Sequence, residues 1–114
     1  MGSRKFIPEN YTVDGPMVEA FEVVTLKAGQ SVVKGEVLAK DGAEYVAWAD
    51  GADAVRVASE DADATDEATT LSVWKGGNMN FKRLTLPDNT EATAISDTLW
   101  VNNIHIETNI SGGN

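Results

Sequence analysis

Five carboxylates crowd into eight positions, Glu60, Asp61, Asp63, Asp66 and Glu67, the densest set of oxygen ligands in the chain. A calcium loop of the EF-hand type needs a Gly at its sixth position for a sharp turn and a bidentate Glu at its twelfth. Counted from Asp61, those positions hold Asp66 and Ser72, so both requirements fail. The run reads as a solvated, turn-forming acidic loop. His105 is the single histidine, set in the alternating segment Ile104-His105-Ile106-Glu107, which puts it on the outer face of a strand. With no cysteine and no second histidine, neither a zinc site nor a nucleophile–base pair is expected. Ser and Thr are plentiful, but no Gly-x-Ser-x-Gly elbow appears and the glycines lack phosphate-loop spacing. The expectation is a protein with no catalytic residues, no metal and no cofactor: not an enzyme.

Trp48, Trp74 and Trp100 are many for this length, and each suits a core or a subunit contact. Trp100 adjoins the apolar positions of a candidate helix. Trp74 precedes Lys75-Gly76-Gly77, where its ring could pack across an oligomer axis. Lys40, in Ala39-Lys40-Asp41-Gly42, raises another possibility. The stretch Lys27–Lys40, with its Gly-x-x-Val-x-x-Gly-x-x-Leu-like spacing, resembles biotinyl and lipoyl carrier domains, which present a modified lysine at a hairpin tip. The Met-Lys-Met signature is absent, however, and a solvated turn lysine is the simpler reading.

The elements that must position these groups are mostly strands. Residues 17–26 are apolar and β-branched, as a strand requires. Ala28-Gly29-Gln30 turns into a second strand-like segment, Ser31–Lys40, with a bulge or bend expected at Gly35. Asp41-Gly42 signals a hairpin leading to a short strand at residues 45–48. Asp50-Gly51 turns again, and Val55 and Val57 open the strand that enters the acidic loop. Beyond the loop, Leu71 and Val73 face one side of a strand and Ser72 and Trp74 the other, until Gly76-Gly77-Asn78 breaks it. Residues 80–86 resume extended character. Residues 87–90 form a turn whose end can cap a helix. Residues 91–102 are the one helical candidate, with Ala92, Ile95 and Leu99 at i, i+3 and i+7. Asn102-Asn103 stops it, and Ile104–Glu107 is a closing strand. Residues 1–16 read as an extended N-terminal arm punctuated by Pro8, Gly15 and Pro16, residues 17–110 as one β domain and residues 111–114 as a flexible tail.

Bulk properties narrow the partners. The chain has 114 residues, a length that suits one domain with a modest core. Its net charge is −9, with a pI near 4.4, which disfavours nucleic acid and anionic membrane as partners and favours solubility at high concentration. Neither a membrane span nor a signal-peptide pattern is evident, so a soluble protein made in a cytoplasm is expected.

One resemblance covers most of the chain, from about Val23 to Ile106. In order along it stand Val24-Thr25-Leu26-x-Ala28-Gly29-Gln30, Gly35-x-Val37-Leu38, the run Glu60-Asp61-Ala62-Asp63-Ala64-Thr65, the strand from Val73 to Gly76, Leu84-x-Leu86 and a terminal helix. This series resembles the tailed-phage head decoration proteins, the family of lambda's decoration protein D. It departs at Asn78, where the family pattern suggests an acidic residue soon after the glycine. The resemblance implies a mainly β domain with one short C-terminal helix (α+β), of β-clip or β-tulip type. It implies a structural, cement-like protein that binds as a homotrimer at local threefold axes on the outer surface of an icosahedral capsid. There it would clamp the major capsid protein of the expanded shell against the pressure of packaged DNA. Phe6, Ile7, Pro8 and Tyr11 would anchor the arm by strand addition to a capsid loop. Trp74, Gly76, Asn78 and Phe81 are the candidates for the trimer interface. A carrier domain, or another small β-clip assembly module, is the alternative.

Overall fold

The structure, a computed structural model, describes residues 19–108 together with the backbone of residues 12–13. Its strands are β1 (Thr12–Val13), β2 (Ala20–Leu26), β3 (Ser31–Val32), β4 (Val37–Asp41), β5 (Glu44–Ala47), β6 (Ala54–Ala58), β7 (Ala62–Asp63), β8 (Thr69–Asn80) and β9 (Ile104–Glu107). A 3-10 turn spans Phe81–Arg83, and the one α-helix among the described residues, α1, spans Thr93–Val101. The protein is mainly β with one short helix near its C-terminal end, the class expected from the sequence.

β8 is the spine. Its first part pairs antiparallel with β2, from Leu26↔Thr69 to Ala20↔Gly76, and with β6 at Val57↔Trp74 and Ala58↔Val73. β2 reaches β5 through Leu26↔Tyr45, β5 pairs with β4, and β4 with β6, so the path β8-β2-β5-β4-β6 returns to β8 and closes a ring. The last residues of β8 leave this ring. They pair in parallel with β9, from Gly77↔Ile104 to Asn80↔Glu107, and antiparallel with β1 at Thr12↔Met79 and Val13↔Asn78.

The glycine pair therefore does not break the strand, contrary to the sequence expectation. It is where one strand passes from one set of partners to another. Gly77 sits at φ +131, a conformation side chains disfavour, and its N–H still donates to Asn103 O at 3.1 Å, which keeps the ladder intact. A β-carbon there would meet the Glu19 backbone at 3.4 Å. Glycine marks a close approach here, not an end.

Three more expectations need correction. Residues 31–40 are two strands, not one bent strand: Gly35, at φ +91, turns the chain between β3, which pairs with β7, and β4, which belongs to the ring. Gly35 is fixed on both sides, its N–H donating to Ala58 O and its O accepting from Thr85 N–H, each at 2.8 Å. Residues 80–86 are not uniformly extended, because Asn80 Oδ1 accepts the Lys82 N–H at 3.0 Å and coils Phe81–Arg83 into the 3-10 turn. Thr90 does not cap α1 either. Its hydroxyl donates to Pro87 O at 2.6 Å, and the cap position, Ala92, offers no side-chain bond.

Two apolar clusters fill the two sides of the strands. One gathers Leu26, Val32, Leu38, Tyr45, Ala58, Ala64, Leu71 and Val73. The other gathers Trp48, Val57, Trp74 and Met79 with Ile95 and Leu99 of α1 and Ile104 and Ile106 of β9. Neighbouring residues Val73 and Trp74 thus serve opposite clusters, as the alternation of a strand requires. Each fully buried Leu or Ile contributes about 1.5–3 kcal/mol, so Ile95 and Leu99 hold α1 in place despite its missing N-cap. At the other end of α1, Asn103 takes a left-handed turn at φ +69, and β9 starts at once. Arg56 ties the parts together: its Nε donates to Glu22 Oε2 at 2.7 Å and its Nη1 to Asn102 Oδ1 at 3.2 Å, linking β6, β2 and the end of α1.

Candidate functional site

The acidic run is built into the fold. β7 forms inside it and pairs with β3. Glu60 Oε2 accepts the Ser72 N–H at 2.7 Å, and Asp61 Oδ1 accepts the Lys34 N–H at 2.8 Å. Asp63 Oδ1 accepts both the hydroxyl and the N–H of Thr65, and these bonds, the hydroxyl first, hold its carboxyl below the usual range. Three of the five carboxylates therefore spend oxygens on local N–H and O–H groups. Among the described residues, no three His, Cys, Asp or Glu side chains are grouped to hold a metal ion.

Lys40 is not at a hairpin tip. It lies within β4 opposite Tyr45, its Nζ 6.0 Å from the ring centroid, while the tip of the β4–β5 hairpin is Gly42-Ala43. His105 projects from the outer side of β9, where its Nε2 lies 3.0 Å from Glu107 Oε2 and its ring meets Trp100 edge-on, centroids 5.2 Å apart.

The tryptophans divide in a way the sequence does not distinguish. Trp48 is buried, its Nε1 donating to Ala52 O at 2.7 Å. Trp74 is buried in the same cluster and donates to Glu19 Oε2 at 3.3 Å. Trp100 is 54% exposed. Of the interface candidates, Trp74, Gly76 and Asn78 follow one another at two-residue spacing along β8, all buried within the single chain, and Phe81 comes just after, half-buried against the Trp74 cluster. Asn78 Oδ1 is buried and meets no hydrogen-bond donor among the described residues. Phe6, Ile7, Pro8 and Tyr11 lie outside the described residues, as does the tail at 111–114. What the structure does describe of the arm is that Thr12 and Val13 add a short strand to β8.

The apolar groups left at the surface fall elsewhere. Phe21 and Val23 on β2 are 49% and 71% exposed, and Trp100 and Val101 close α1 with Val101 at 77%. Phe21 rests on Trp74, ring centroids 5.7 Å apart. Sequence reasoning passes over Phe21 and Val23 because an apolar, β-branched segment looks like core on every face. A signal is there: residues 20–25 carry apolar groups at both odd and even positions, more than one covered face requires.

Exposed apolar side chains on an acidic β scaffold are suited to contact with another protein. The comparison with known families makes this specific. The chain belongs to the bacteriophage lambda head decoration protein D family, whose model matches residues 8–100. It is accordingly a component of a phage head, associated with the capsid, in a family of structural proteins. A comparison with curated proteins gave no match.

Proposed function

We propose that the chain binds as a homotrimer at the local threefold axes of an expanded icosahedral head, on its outer surface. There it bridges copies of the major capsid protein and holds the shell against the pressure of packaged DNA. The observation that carries the reading beyond the family is the pair Phe21 and Val23, both exposed on β2, with Phe21 packed on Trp74 and Val23 opposite Ser72. Exposed apolar groups set on a rigid, buried aromatic are what a subunit contact needs. In this reading Phe21 and Val23 touch the neighbouring subunit. Trp74 and Gly76 support them from within, and Asn78 and Phe81 shape the far end of the same strand.

The arm supplies the second contact. In this reading the arm that precedes the Thr12–Val13 strand on the edge of β8 pairs with a capsid loop, anchored by Phe6, Ile7, Pro8 and Tyr11. Ordering it costs about 1–2 kcal/mol per residue in backbone entropy, so pairing and apolar anchoring must offset that on the shell. Many copies with modest individual affinity then give a large total. The net charge of −9 suits an outer surface away from the genome.

Removing residues 1–11 tests this, since it spares β1. The truncated protein should keep its circular dichroism and its melting temperature but fail to co-sediment with expanded, undecorated heads. Full binding by the truncated protein would contradict the role given to the arm.

A further inference from the structure

Identical patches can meet across a twofold axis, but away from its axis a ring of three joins each patch to a different patch of the next copy. In the trimer proposed above, Phe21 and Val23 therefore need a partner surface elsewhere on the chain. Apart from Val33, the other large apolar groups exposed among the described residues are Trp100 and Val101, at the end of α1. Beside them α1 and β9 enclose a notch lined by Ser96, Asp97, Trp100, His105 and Ile106. Neither Phe21 nor Val23 forms part of its wall, so the two surfaces are distinct.

Size and chemistry match the two. The notch holds about 190 Å3, and a cavity of about 150 Å3 already accepts a benzene ring. Its apolar lining is Ile106 and the half-exposed Trp100 ring, which His105 meets edge-on. Asp97 is the carboxylate on its wall, exposed and without a hydrogen bond or ion pair among the described residues. Phe21 in turn has a cation close by. The register between β2 and β8 slips from Phe21↔Trp74 to Ala20↔Gly76, so Lys75 has no partner on β2 and stands exposed at a bulge. Its ammonium also has no ion pair among the described residues. An aromatic ring beside a cation faces an apolar notch beside a carboxylate.

We infer that Phe21 of one copy enters the notch between α1 and β9 of the next, with Lys75 facing Asp97, and that three such head-to-tail contacts close the ring. This rests on the trimer reading and names the surface that its β2 contact meets. Ring burial supplies the attraction, and the charge pair, being near solvent, mainly fixes which patch is met.

Carbodiimide coupling on decorated heads tests it, because the reagent joins a lysine to a carboxylate only where the two touch. Heads decorated with a mixture of isotopically light and heavy protein should yield a Lys75–Asp97 link between light and heavy peptides, in products that end at three chains. Lys75→Arg or Asp97→Asn should remove that link. Lys75→Glu alone, or Asp97→Lys alone, should weaken apparent affinity for heads by about three- to tenfold, and both reversals in one chain should restore it. Bound copies that never link Lys75 to Asp97 across chains, with no rescue by the double reversal, would overturn the inference and leave the trimer standing. A Lys75–Asp97 link confined to single chains would do the same. Heads that take up no protein would overturn the trimer reading itself, and this contact with it.

Discussion

The Trp74 ring lies beneath Phe21, their centroids 5.7 Å apart and their planes tilted by 37°, and the two differ sharply in exposure, 4% against 49%. One is a foundation and the other a surface, and substitutions should separate them. Trp74→Ala should lower the stability of the single chain by about 3–5 kcal/mol, the cost of emptying a large buried site. Phe21→Ser combined with Val23→Ser should change stability far less but weaken self-association. Urea melts and sedimentation equilibrium measure the two effects separately. Unchanged association in the double variant would remove the contact proposed for β2.

Gly77 should be intolerant of any side chain. Its φ of +131 and the 3.4 Å approach to Glu19 predict that Gly77→Ala costs about 1–3 kcal/mol in urea denaturation. Gly42, at the open β4–β5 tip, has nothing within 4 Å of where a β-carbon would stand, and should lose less on the same change. Equal losses at both would mean that the close packing at the strand switch carries no special energy.

Much of this architecture was legible in the residues. The Asp41-Gly42 hairpin, the helix with Ile95 and Leu99 inward, and β9 with its alternating isoleucines all follow from turn chemistry and from periods of 3.6 and 2. Misreadings cluster at the glycines. Gly35 and Gly77 look alike as punctuation, yet one turns the chain between two sheets and the other lets β8 run on, because partners distant in sequence decide the outcome. The exposed pair Phe21 and Val23 was hidden for a related reason. Composition shows that a strand is apolar but not which of its faces is left uncovered.

The acidic loop should behave as a structural element. Asp61→Ala removes the acceptor for the Lys34 N–H and Glu60→Ala that for the Ser72 N–H, and each should cost about 0.5–1.5 kcal/mol. Thermal melts with added calcium should match those without it. A calcium-dependent rise in melting temperature would show that the loop binds the ion.

Two carboxyls should act in opposite directions as pH changes. Burial pushes Glu36 above its usual value, partly opposed by the Val33 N–H that it accepts. A raised folded value means that stability from this group is full in acid and falls as pH rises through that value. Glu36→Gln, which keeps an acceptor for Val33, should therefore be more stable than the parent at neutral pH and lose that advantage in acid. Asp63 is held low by Thr65, so its contribution is present at neutral pH and is lost as pH falls through its depressed value. Asp63→Asn should flatten that acid loss. Melts across the acid range would check both signs, and a Glu36→Gln curve parallel to the parent would contradict the first.

The central claim is attachment to the shell at threefold sites, and counting copies tests it most directly. Purified protein would be titrated onto expanded, undecorated heads of the phage that encodes it, and the bound copies per shell measured after sedimentation. Binding should saturate at three copies for every occupied local threefold site. Saturation at a number that is not a multiple of three per site, or no binding at concentrations well above micromolar, would contradict it.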